Sequence, residues 1–199
     1  MRPTTKEGRR KKHLLNTKIV DSNKHITYQW SDEGSGHYTQ KEDMYMSFFK
    51  KMLPEFNGGV VLEVGPGTGK FANQLFYTYD ISDYIILDLE DNINDSRNFL
   101  DSKGYNVQYV CSQDYETLFD NIITLFVSNV CLPEVPEYYC KNLVDHMFPN
   151  SDYAFVIGGN EFSYYNDWIK EVFNKYFTTV DIQETGYGKT FAISGKDKK

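Results

Sequence analysis

An apolar run, Val60-Val61-Leu62-Glu63-Val64, halts at Gly65 and gives way to alternate glycines at Gly67 and Gly69. The run is short and rich in β-branched residues, the mark of a buried strand rather than a helix. From Phe71 onward, apolar residues at 71, 72, 75, 76 and 79 recur at helical spacing. Strand, glycine turn and helix in that order open a nucleotide-binding βαβ unit, which commits the chain to an α/β architecture. Glycine suits such a turn because it has no Cβ to keep a ligand from the backbone and because positive φ costs it nothing.

Three kinds of glycine turn share this outline. A phosphate-cradling P-loop, G-x-x-x-x-G-K-[ST], requires glycine at position 64 and a hydroxyl at 71; the chain has Val64 and Phe71. A dinucleotide fingerprint requires G-x-G-x-x-G, whereas the spacing here is G-x-G-x-G. The third kind keeps Glu63, two residues before the first glycine. A second buried strand, Tyr84-Ile85-Ile86-Leu87, ends in Asp88, 19 residues past Gly69. An acidic side chain about 20 residues beyond the turn is placed to accept hydrogen bonds from both hydroxyls of a ribose. Taken alone, Asp88 reads equally as a helix N-cap or a solvated turn residue.

Together, E-x-G-x-G-x-G and the later carboxylate resemble the donor-binding elements of class I S-adenosylmethionine-dependent methyltransferases. The resemblance covers residues 60–194. It implies a Rossmann-like, seven-stranded, mostly parallel sheet with a C-terminal antiparallel hairpin, helices on both faces, and S-adenosylmethionine as cofactor. It further implies that Glu63, Gly65, Pro66, Gly67 and Gly69 form the donor turn, with Glu63 supporting the loop and the methionine end. By the same resemblance Asp88 and Leu89 meet the nucleoside, Gln113 and Asp114 stand at the adenine position after the third strand, and Asn129 joins them from the end of the fourth.

The rest of the chain fits this plan. Thr39-Gln40-Lys41-Glu42 has the form of a capping box, and Met44, Phe48, Phe49, Met52 and Leu53 give the following helix an apolar stripe. After Asp88, the pattern predicts a helix over 92–102, a strand over 107–111 and a strand over 122–130. Val135, Tyr139, Leu143 and Met147 mark a helix at i, i+4; 153–157 is a fifth strand, and Trp168, Ile169, Val172, Phe173 and Tyr176 mark another helix. Residues 179–184 and 190–194 close the chain as a hairpin. Residues 1–18 read as a disordered basic tail, 19–57 as an N-terminal lid and helical segment, and 58–199 as the methyltransferase domain.

Methyl transfer depends mostly on orientation, with a base added for a neutral hydroxyl acceptor. Asn/Asp-Pro-Pro-Tyr after the fourth strand would mark methylation of an amide or amine in nucleic acids or proteins; the chain has Ser128-Asn129-Val130-Cys131-Leu132-Pro133-Glu134. With Tyr-Ile-Ile-Leu-Asp-Leu in the second strand, this is more similar to the sugar O-methyltransferases of bacterial surface-polysaccharide pathways. That similarity implies a small-molecule acceptor, a sugar or a nucleotide-sugar. His37 lies in the segment that commonly folds over the donor site in this family. It is a candidate base together with Glu134 and Glu161 at strand ends, although loop carboxylates are usually just solvated. His146 reads as a satisfied surface or core histidine. Tyr28, Trp30 and Tyr38 are amphipathic aromatics in a glycine-containing segment and, with Asn160, are candidates for acceptor contact; Tyr28 and Trp30 read equally as packing residues. N-methylation of a small molecule, or a donor-binding partner subunit without catalysis, stays open as an alternative.

Charge narrows the partners. Residues 1–18 hold seven Lys/Arg against Glu7, leaving 14 basic and 27 acidic residues in the remainder, a net of −13. So acidic a body argues against nucleic acid as substrate. No apolar run approaches the roughly 18 residues of a membrane span. The three cysteines, at 111, 131 and 140, have no C-x-x-C spacing and no His/Cys cluster around them, so the expectation is no metal and a reducing, cytoplasmic setting.

Overall fold

The computed structural model describes the backbone of residues 20–22, 25–27, 37–159, 163–185 and 190–199, and the side chains from Asp43 onward within those spans, Ser163 and Tyr164 excepted. Two short strands, β1 (Val20–Ser22) and β2 (His25–Thr27), pair antiparallel in a sheet of their own. Helix α1 (His37–Met52) follows, and then the main sheet begins.

Its elements in chain order are β3 (Gly58–Val64), α2 (Lys70–Thr78), β4 (Asp80–Asp88), α3 (Glu90–Asp101), β5 (Val107–Cys111), β6 (Ile123–Asn129), α4 (Glu137–Met147), β7 (Ser151–Gly159), α5 (Ser163–Tyr176), β8 (Phe177–Glu184) and β9 (Thr190–Lys198). The strands lie side by side as β5-β4-β3-β6-β7-β9-β8. The first five are mutually parallel, and β9 runs antiparallel between β7 and β8. The expected seven-stranded sheet with its C-terminal antiparallel hairpin is thus present.

Parallel central strands are covered on both faces, so their sequences are continuously apolar instead of alternating. Residues 61–64, 84–87, 125–128 and 154–157 are all buried. On one face Phe49 of α1, Phe71 and Leu75 of α2 and Leu100 of α3 pack over Val61, Ile86, Leu125 and Phe155. On the other, Leu143 and Met147 of α4 and Ile169 and Phe173 of α5 cover Leu62, Phe126, Ala154 and Val156. Strand order reverses between β3 and β6. In open α/β sheets a ligand crevice opens at such a point, outside the carboxyl ends of the strands.

Several boundaries differ from the sequence expectation. Helix α1 starts at His37, so Thr39 lies inside its first turn and not ahead of it; nothing between Gly36 and Thr39 stops a helix. Ile122 falls outside β6 and is exposed. Val135 precedes α4, whose start is set by Pro136, a residue that favours helix entry. Ser112–Leu118, after β5, winds into 3₁₀ turns. Among the described residues no helix is long and apolar enough to cross a membrane.

Candidate active site at the carboxyl ends of the strands

The turn after β3 is held from both sides. Gly65 N–H donates to the Leu87 carbonyl at 3.0 Å, and Gly69 N–H donates to the Pro66 carbonyl at 3.0 Å. Gly65 has φ 73°, and a Cβ there would fall 2.3 Å from Cys131 Sγ. This glycine is required by the protein itself, because the loop after β6 presses against it. Gly67, with φ 59°, has open space where a Cβ would stand. Here the backbone faces outward, as a turn that a ligand passes over must.

Glu63 is buried and accepts a hydrogen bond from the Tyr84 hydroxyl at 2.8 Å. Burial and the neighbouring carboxylate raise the Tyr84 pKa well above its ordinary value, so the hydroxyl stays protonated and remains the donor. Asp88 ends β4 next to this turn. Its Oδ1 accepts from Leu89 N–H at 2.7 Å and from Asn92 Nδ2 at 3.0 Å. Among the described residues nothing donates to Oδ2. Burial raises the Asp88 pKa, and the two hydrogen bonds only partly offset this. Leu89, just beyond, leaves an apolar side chain 58% exposed.

Across the crevice, β6 is tied to β3 by Ser128 Oγ, which donates to the Val64 carbonyl at 3.0 Å. Both polar atoms of the Asn129 side chain are buried without a hydrogen-bond partner. Each such group costs about 1–3 kcal/mol. Val130, the next residue, has φ 67°, a left-handed conformation that is a genuine outlier for a β-branched side chain. Backbone strain and unmet polar groups thus fall on adjacent residues at the end of β6. Cys131 follows; burial, then the charges of Asp88 and Glu134, push its thiol well above the ordinary range, so it stays neutral.

No protein-family model matches the chain, and no curated protein matches it in sequence. Solved structures do match in shape. An O-methyltransferase family protein from Burkholderia thailandensis superposes with a TM-score of 0.62 at 12% identity, over 80% of this chain and 55% of that one. The N-methyltransferase NodS from Bradyrhizobium japonicum, solved with S-adenosyl-L-homocysteine, gives 0.59 at 11%, over 78% and 86%. The methyltransferase domain of bacterial CtHen1 gives 0.62 at 11%, over 80% and 100%. The fold is that of the class I methyltransferases.

On this class I methyltransferase scaffold, Glu63, Gly65, Pro66, Gly67, Gly69, Asp88, Leu89 and Asn129 gather at the ends of β3, β4 and β6. Gln113 and Asp114 are exposed in the 3₁₀ segment after β5. Glu134 is exposed in a short 3₁₀ turn after β6. Tyr28, Trp30, Asn160 and Glu161 lie outside the described residues, as do the side chains of His37 and Tyr38, whose backbone opens α1. His146 is exposed on α4, stacked on Phe119 at 3.9 Å with its Nδ1 2.7 Å from the Asn142 carbonyl, a satisfied surface histidine. Among the described residues no group of His, Cys, Asp or Glu could hold a metal ion. Sequence reasoning missed Val130 and Cys131. No glycine announces the positive φ, and the contact of Cys131 with Gly65 joins residues far apart in the chain.

Proposed function

We propose that the protein is an S-adenosylmethionine-dependent methyltransferase acting on a small polar acceptor, by O-methylation of a sugar or another hydroxylated metabolite. The observation that carries this reading is the convergence on one crevice of open space at Gly67, an uncommitted Asp88 Oδ2 and the unpartnered Asn129 amide. These groups suit the donor. Asp88 Oδ2 can accept from a ribose hydroxyl, Leu89 offers an apolar edge to the base, and the Asn129 amide can donate to and accept from the amino-acid end. S-adenosylmethionine supplies a methyl group activated by a sulfonium. The chain's own work is to orient donor and acceptor in line and to exclude water.

For a hydroxyl acceptor a base is also needed, and we assign that role to His37, Glu134 or Glu161. Glu134 is exposed in the short 3₁₀ turn after β6, where its N–H donates to the Cys131 carbonyl at 2.8 Å. Tyr28, Trp30, Tyr38 and Asn160 are proposed to contact the acceptor, within a lid formed by residues 26–40. The acidic body supports a small-molecule acceptor over a polynucleotide, and the three free thiols fit a reducing, cytoplasmic setting.

Calorimetry tests the donor reading. S-adenosylmethionine and S-adenosylhomocysteine should bind, while ATP and NAD should not. Gly67→Val should abolish that binding by placing a branched side chain where the ligand passes. Tight ATP binding without binding of S-adenosylhomocysteine would overturn the proposal. Methyl transfer to a panel of sugars and amines then separates O-methylation from N-methylation and from a non-catalytic partner subunit.

A further inference from the structure

The 3₁₀ segment after β5 is fastened to α4 along a matched pair of helical stripes. From α4 and the turn beyond it come Tyr139, Asn142, His146 and Asn150; from the segment and its end come Ser112, Tyr115 and Phe119. The Tyr139 hydroxyl donates to the Ser112 carbonyl at 3.1 Å. Asn142 Nδ2 donates to the Tyr115 hydroxyl at 2.6 Å. His146 stacks on Phe119, and Asn150 Nδ2 donates to the Phe119 carbonyl at 3.1 Å. The Tyr115 and Tyr139 rings lie 4.3 Å apart, and Tyr115 meets Phe119 edge-on at 5.5 Å. Along α4 and the turn beyond it, the spacing i, i+3, i+7, i+11 keeps Tyr139, Asn142, His146 and Asn150 on one side, toward the segment.

This fastening spans the sheet, because β5 is its outer strand while α4 follows β6, with β3 and β4 between them. Gln113 and Asp114 lie between the two tied residues Ser112 and Tyr115, and both are exposed. The turn that carries them is therefore shaped by α4 and not by β5 alone. Burial raises the Tyr139 pKa far above its ordinary value, with Tyr115 adding to the shift, so the hydroxyl remains a donor at any working pH.

We infer that Tyr139 and Tyr115 are positioning residues for the donor's base: by fixing the 112–118 turn they set where Gln113 and Asp114 meet it. The inference rests on the donor reading above and on the adenine position that the class I resemblance gives Gln113 and Asp114. It also links that turn to α4, the helix that follows Glu134.

The test uses Tyr139→Phe, which deletes one hydroxyl and leaves the ring stack in place, and Tyr115→Phe as a second variant. Affinity is measured for S-adenosylhomocysteine and for S-inosylhomocysteine, which differ only at the base, alongside the melting temperature without ligand. We expect Tyr139→Phe to bind S-adenosylhomocysteine about 5- to 20-fold more weakly, with the preference for adenine over hypoxanthine falling and the melting temperature nearly unchanged. Wild-type affinity and selectivity in both variants would overturn the inference while leaving the donor reading intact. Equal weakening toward both ligands would also overturn it, since that is the mark of a merely structural role. If the wild type binds neither ligand, it is the donor reading that fails.

Discussion

Asp88 carries two opposed demands. In the proposed donor site, binding a ribose diol requires the carboxylate, while its partly buried place at the end of β4 disfavours the charge and raises its pKa. A carboxyl whose folded pKa lies above its unfolded value destabilises the ligand-free fold above the raised pKa. That penalty fades as pH falls and is gone below the ordinary carboxylate range near 3.8. Asp88→Asn should therefore melt slightly higher than wild type at neutral pH, with the difference closing on acidification. Donor affinity should move the other way. A hydrogen bond to a charged group contributes about 1.5–3 kcal/mol, so Asp88→Ala should weaken S-adenosylhomocysteine binding roughly 10- to 100-fold, and wild-type affinity should fall as pH drops through the raised pKa. Unchanged affinity in Asp88→Ala, with a loss in Glu90→Ala, would move the ribose contact two residues on.

At the level of elements, Phe49 anchors α1 to the sheet, beside Met44, Met52 and Leu53 in the same core cluster. Phe49 is fully buried and meets Phe56, Phe71, Tyr79 and Phe155 edge-on at 5.3, 6.1, 5.8 and 5.3 Å. Phe49→Ala should cost about 3–5 kcal/mol in urea unfolding, because four neighbours would line the void and none can fill it alone. A loss under about 1 kcal/mol would show that α1 adds little to the core. This helix was legible in the sequence, since Met44, Phe49, Met52 and Leu53 repeat at its period and are all buried. The central strands were legible for a similar reason: burial on both faces leaves a continuous apolar run that nothing else in a short segment explains. What escaped the sequence depends on partners distant in the chain. Ser112–Leu118 has no periodic apolar face of its own, because its fastening residues find their complement 27 to 31 residues later, in α4 and the turn beyond it. The strain at Val130 was equally hidden, since a valine there reads as the last residue of a strand.

For the whole molecule, the proposed donor side of the site, with Glu63, Gly67, Asp88 and Asn129, is supplied entirely by β3, β4, β6 and their loops. The acceptor side is proposed to come from the N-terminal segment, and α1 sets where that segment can be cut. Met44, Tyr45, Met46, Phe49 and Met52 of α1 and Leu53 just after it are buried in the core on one sheet face, and the helix begins at His37. A cut at residue 40 would remove the first turn of α1 and confuse loss of a lid with loss of a helix end. A cut after Gly36 keeps the whole helix. Removing residues 1–18 should leave melting temperature, donor affinity and turnover unchanged if, as their composition implies, they form a solvated basic tail. Removing residues 1–36 should leave a cooperatively folded protein that binds S-adenosylhomocysteine more weakly and no longer transfers methyl groups to acceptors the full chain accepts. In the full chain, His37→Ala should lower turnover more than donor affinity if the imidazole is the base. Turnover is followed as S-adenosylhomocysteine formed with the best acceptor of the panel, beside calorimetric donor affinity and a melting curve for each form. Full methyl transfer by residues 37–199 would sink the lid proposal, and an unaltered rate in His37→Ala would pass the role of base to Glu134 or Glu161.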